Sequence, residues 1–87
     1  MGRVTAYRIT WSQVAAAQRE KIDRSVRKRI IEKIEQAATD PQRFTTRLVG
    51  SPFSRLRIGD WRVILKIEEG TVQVLIIEVK HRRNFFR

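Results

Sequence analysis

The sequence contains no cysteine among its 87 residues. No disulfide can staple the chain, and no thiolate is available to bind zinc. It holds one histidine and no carboxylates paired at ligand spacing, so a metal site and metal-dependent hydrolysis are not expected. No apolar run approaches the ~20 residues that span a bilayer. Met1 to Ile9 lacks the apolar stretch of a signal peptide, and a cytoplasmic protein is expected. Acidic residues are also scarce: nine Asp and Glu stand against nineteen Lys and Arg, a formal charge of +10. Such a surface attracts polyanions, nucleic acid first among them, or an acidic protein partner. A membrane-surface role fits less well, because the basic residues do not line one long amphipathic helix.

The length fits one domain over residues 1–87. A chain this short buries only about 60–65% of the surface that its unfolded form exposes. The core must come from packing alone or from packing plus a partner. With four glycines and two prolines in all, the few breakers mark boundaries. Arg3 to Trp11 reads as a strand, with Tyr7, Ile9 and Trp11 on one face. Ser12 stands at a helix N-cap position. Gln13 to about Lys21 is an alanine-rich helix whose stripe is Val14 and Ala17, with Ala16 beside them. Asp23 to Ser25 breaks it. Val26 to Ala38 forms a second helix, apolar at Val26, Ile30, Ile34 and Ala38 and widened by Ile31. So short a connection predicts an antiparallel helical hairpin.

Asp40-Pro41 ends that helix, and Gln42 to Pro52 is a connector. Three strands then follow. Phe53 to Ile58 and Trp61 to Glu68 alternate and are joined by a tight turn at Gly59-Asp60. After a second turn at Glu69-Gly70, Val72 to Val79 is almost continuously apolar, as in a central strand covered on both faces. The fold expected is α+β, with the helices on one face of a mostly antiparallel sheet.

Alternation also sorts the basic side chains. With Leu56, Ile58, Val63 and Leu65 beneath the helices, Arg55, Arg57, Arg62 and Lys66 share the open face. The tail adds His81, Arg82, Arg83 and Phe86 at the end of the last strand. Arginine forks bind phosphate and stabilise the charge of a pentacovalent transition state. Histidine is the side-chain type that exchanges protons near neutrality. Phe85 or Phe86 offers a ring for base stacking. Each feature alone is commonplace, and their expected convergence on one face is what points to RNA phosphodiester chemistry.

The same residues resemble a known family. Val26 to Ile34 reads VRKRIIEKI, Asp40-Pro41 follows, and Leu48 to Gly50 reads LVG. Ser54 to Ile67 reads SRLRIGDWRVILKI, and Glu78 to Phe86 reads EVKHRRNFF. In this order and spacing they are similar to the RelE/ParE toxin superfamily, nearer to its RelE branch. That resemblance implies a type II toxin that cleaves mRNA in the ribosomal A site. It implies that the 2′-hydroxyl attacks the adjacent phosphate without metal or cofactor. It implies a RelB-like antitoxin partner, with operator DNA reached only through that antitoxin. Catalytic positions fall on Arg55, Arg57, Arg62 and Arg82, with His81 handling protons because arginine is a poor base. Arg27, Lys28, Arg29 and Lys33, together with Lys66, Arg83 and Phe86, are the expected RNA contacts. The family's C-terminal tyrosine is Phe86 here, which can stack but cannot shuttle a proton. Two alternatives follow: a ParE-like inhibitor of DNA gyrase, or a catalytically weak relative that acts as a binding module.

Overall fold

The computed structural model describes residues 6–81. The elements run β1 (Arg8–Trp11), α1 (Gln13–Glu20), α2 (Arg24–Ala38), α3 (Pro41–Phe44), β2 (Thr46–Arg47), β3 (Ser54–Ile58), β4 (Trp61–Glu68) and β5 (Gln73–His81). The strands form one sheet in the order β1-β5-β4-β3-β2. β3, β4 and β5 make the expected antiparallel meander, while β1 pairs in parallel with β5. The connector is not wholly irregular. Pro41 opens the one-turn α3, where its missing N–H costs nothing, and β2 adds two residues to the edge of β3.

The helices cover one face of the sheet, α1 against β5 and β1, α2 against β3 and β1. Beneath them lies a core of Ile30, Ile34, Leu56, Ile58, Val63, Leu65, Val74, Ile76 and Val79, closed by Ala15 and Ala37. Tyr7, Ile9 and Trp11 pack against it as the period of two required. The α2 stripe is also as read, with Ile30, Ile34 and Ala38 buried and Val26 at its partly buried end.

The phase of α1 differs from expectation. Ala15 is fully buried, whereas Val14 is 59% exposed and Ala17 is also on the surface. Alanines give a weak stripe, and polar anchors set the rotation instead. The Ser12 hydroxyl oxygen accepts from the Ala15 N–H at 3.0 Å and caps the helix, while its O–H donates to the Ile77 carbonyl at 2.8 Å. One turn on, Gln18 Oε1 accepts from the Val79 N–H at 2.7 Å. β1 stops opposite Ile76, so these two side chains satisfy backbone groups of β5 beyond the end of its neighbour.

β5 is central in the sheet but not covered on both faces. Val74, Ile76 and Val79 are buried, and Leu75 and Ile77 keep partial exposure on the face away from the helices. A bulge interrupts its pairing with β4: Leu65 opposes Ile76 and Ile64 opposes Glu78, leaving Ile77 as the extra residue. A bulge places two residues against one and shifts the alternation. Ile77 and Glu78 therefore fall together on the open side, and Val79 returns to the core. The strand begins at Gln73, because Val72 has φ 53 and belongs to the preceding turn.

Candidate nucleic-acid interface

The β3–β4 turn organises the open face. Ile58 pairs with Trp61, so Gly59 and Asp60 form a two-residue loop. Gly59 takes φ 58, the left-handed conformation that a hairpin with glycine first requires. This tight turn fixes the register, and the register sets Arg57 directly opposite Arg62. Arg62 in turn pairs with Lys80 on β5. Paired residues on neighbouring strands are about 4.5–5.5 Å apart, and like charges so placed repel. The register thus sets three cations side by side across neighbouring strands, a surface suited to an anion.

Beside that rung is a recess of about 230 Å³ lined by Arg57, Gly59, Asp60 and Arg62. Arg57 is exposed and Arg62 half-buried. Arg55 stands one rung away, about 7 Å along β3, between Thr46 and Ile64. Glu78 completes its row, and its carboxylate lies 3.2 Å from Lys80 Nζ. Lys66 shares the face but is about 13 Å along β4 from Arg62, with Nζ 3.6 Å from Glu68. Of the expected open-face cations, Arg57 and Arg62 come together, Arg55 flanks them and Lys66 stands apart. Lys80 belongs to the rung, although strand alternation in the sequence does not single it out. Asp60, a turn residue in the sequence pattern, also lines the recess. Its place between the last arginine of β3 and the first of β4 was the signal in the sequence.

His81 does not join this group. It pairs with Trp61, which pairs with Ile58 of the core, so all three belong to the helix side. The His81 and Trp61 rings meet edge to face, with centroids 4.6 Å apart and planes at 76°. Together they line a second recess with Val26, Arg29, Ile30, Ile58, Gly59 and Asp60. Uninterrupted alternation from Leu75 would have placed position 81 on the open face. The bulge at Ile77 reverses that phase. Gly59 and Asp60 are thus a thin wall between an arginine recess and a histidine recess.

The basic residues of α2 lie in the helical layer, across the sheet from the arginine rung. Lys28, Arg29 and Lys33 are exposed, and Arg27 is half-buried with Nη1 3.6 Å from Glu20. Arg29 reaches the turn, since a Cβ added to Gly59 would lie 3.7 Å from its Nη2. The expected contributions of Arg82, Arg83 and Phe86, like the strand start at Arg3, lie outside the described residues. Among the described residues, no group of three His, Cys, Asp or Glu side chains is placed to hold a metal ion. No helix there is long and apolar enough to cross a membrane.

A known family matches residues 9–85, nearly the whole chain: the ParE toxins of type II toxin–antitoxin systems. The chain belongs to that family. This toxin of the RelE/ParE superfamily also has the fold of solved RelE proteins. It is similar to the structure of the RelBE2 toxin–antitoxin complex from Mycobacterium tuberculosis, with 20% identity, TM-score 0.81, and coverage of 90% of this chain and 100% of that one. It is similar to the intact E. coli RelBE complex at 20% identity and TM-score 0.77, covering 87% and 96% of the two chains. The archaeal RelE–RelB complex from Pyrococcus horikoshii gives 21% identity and TM-score 0.75, over 90% and 97%. No curated protein matches the sequence. The toxin thus combines a ParE family match with a RelE-like fold.

Proposed function

We propose that this toxin is a ribosome-dependent endoribonuclease that cuts mRNA in the A site, by attack of a 2′-hydroxyl on the adjacent phosphate. The observation that carries the reading is the Arg57–Arg62–Lys80 rung beside an open recess. Guanidinium forks suit a phosphate that gains charge in the transition state, because each donates two aligned N–H groups. Arg57 and Arg62 hold the scissile phosphate, and Arg55 holds its neighbour along the strand. Arg82 is assigned to the same task from the family pattern alone. Lys28, Lys33 and Arg27 make salt-screened contacts to ribosomal RNA from the helical layer, adding affinity without sequence readout.

A RelB-like antitoxin neutralises the toxin in the cytoplasm, and operator DNA is bound only through that antitoxin. Three solved structures of similar fold are complexes with RelB antitoxins, and an acidic antitoxin segment would complement the charge of +10. The direct test is primer extension on mRNA incubated with the purified toxin and translating ribosomes. Discrete cuts within codons are expected, and they should disappear when antitoxin is added. Intact message would overturn the reading. The ParE family match favours a second reading, inhibition of DNA gyrase. It requires loss of supercoiling by purified gyrase with the message left whole.

A further inference from the structure

We propose that Asp60 is the proton acceptor for the attacking 2′-hydroxyl, a role that rests on the endoribonuclease reading above. The four residues lining the arginine recess are Arg57, Gly59, Asp60 and Arg62. Arginine side chains only donate hydrogen bonds and remain protonated. Asp60 therefore brings the acceptor side chain of that lining. Glu78, the carboxylate of the adjoining row, stands opposite Ile64 and is not part of that lining. His81 faces the other recess, on the far side of the turn.

The turn gives Asp60 a defined position. With Gly59 fixed at φ 58 and Ile58 paired to Trp61, residue 60 has a single place at the lip of the recess. A carboxylate beside a phosphate repels it, and the cations of the adjacent rung offset that repulsion. A phosphate gripped by Arg57 and Arg62 lies next to this carboxylate, and so does the 2′-oxygen of the preceding ribose. The O–H bond of the 2′-hydroxyl breaks and its proton passes to Asp60. The 2′-oxygen forms a bond to phosphorus as the bond from phosphorus to the 5′-oxygen breaks. The 5′-oxygen leaves with the electron pair and takes a proton from solvent water. The hydroxide so formed is neutralised by the proton from Asp60, which restores the carboxylate.

The experiment is single-turnover cleavage of mRNA on programmed ribosomes by the full toxin and by Asp60→Asn, Asp60→Ser and Asp60→Glu. Asparagine and serine suit turns, so melting temperatures and ribosome affinities near wild type are expected. The cleavage rate of both should fall about a hundredfold or more, the usual contribution of a positioned base. Asp60→Glu should recover part of the rate by restoring an acceptor. A folded, ribosome-binding Asn or Ser variant that cuts within threefold of wild type overturns the proposal and leaves the endoribonuclease reading intact. An inactive wild-type toxin overturns both. If one neutral variant fails to fold, the other decides.

Discussion

The two faces of the sheet are built from alternate residues of the same strands, yet they answer to different demands. On the helix side, Val63, Leu65 and Ile76 are at most 1% exposed. On the other side, their immediate neighbours Arg62, Lys66 and Leu75 remain partly open. Apolar burial is concentrated on one face, and the other carries the rung of Arg57, Arg62 and Lys80. A strand with period two lets a domain of this size do both, because a change on one face leaves the other face's contacts in place.

The largest effect expected from breaking that division is on the covered face. Leu65→Ala should lower unfolding free energy by about 2–5 kcal/mol, read from urea denaturation. That is a large part of the ~5–15 kcal/mol holding a typical domain together. The folded fraction should still cleave at the wild-type rate. Next comes the open face. Arg57→Ala or Arg62→Ala should slow cleavage by about 10²–10³-fold, the usual loss on removing one donor to a charged transition state. Stability should fall by less than for Leu65→Ala, because Arg57 is exposed and Arg62 only half-buried. Equal losses of stability from Arg62→Ala and Leu65→Ala would contradict the division of labour between faces.

A smaller effect is expected where α1 meets β5. Ser12→Ala removes both the cap on Ala15 and the donor to the Ile77 carbonyl. A loss of about 1–2 kcal/mol is expected. Hydrogen exchange should show faster opening at Ala15 and in the second half of β5. Uniform acceleration throughout the domain would instead mean that the contact serves global stability only.

Much of this division could be read from the sequence, because Arg55 to Val63 alternates through a turn of known length. The α2 stripe and the Ser12 cap were legible for the same reason: each is a local pattern with one physical cause. Three features were not. The rotation of α1 depends on Ser12 and Gln18 reaching β5, more than sixty residues away in sequence. The parallel pairing of β1 with β5 joins the two ends of the described chain, and no local pattern announces it. The bulge lies within Leu75-Ile76-Ile77, where every residue is apolar and no alternation exists to reveal a change of phase. That silent residue turns His81 onto the face opposite the arginines, whereas the sequence pattern placed it beside them only as the end of the last strand.

His81 therefore supplies the finest test of the comparison. If the open face alone performs the chemistry, His81→Ala should leave single-turnover cleavage within about threefold of wild type, less than the ~10²–10⁴-fold cost of losing a proton-transfer group. Its cost should appear in stability. The edge-to-face contact with Trp61 at 4.6 Å is the kind of aromatic pair that contributes about 1 kcal/mol beyond area burial. Trp61 is one of two tryptophans, so in a Trp11→Phe background its fluorescence reports this contact directly. The substitution should shift that emission and lower the urea midpoint together. Loss of cleavage by two orders of magnitude with an unchanged midpoint would place proton transfer on the helix side of the Gly59-Asp60 wall. The two recesses would then be one divided active site rather than a site and its brace.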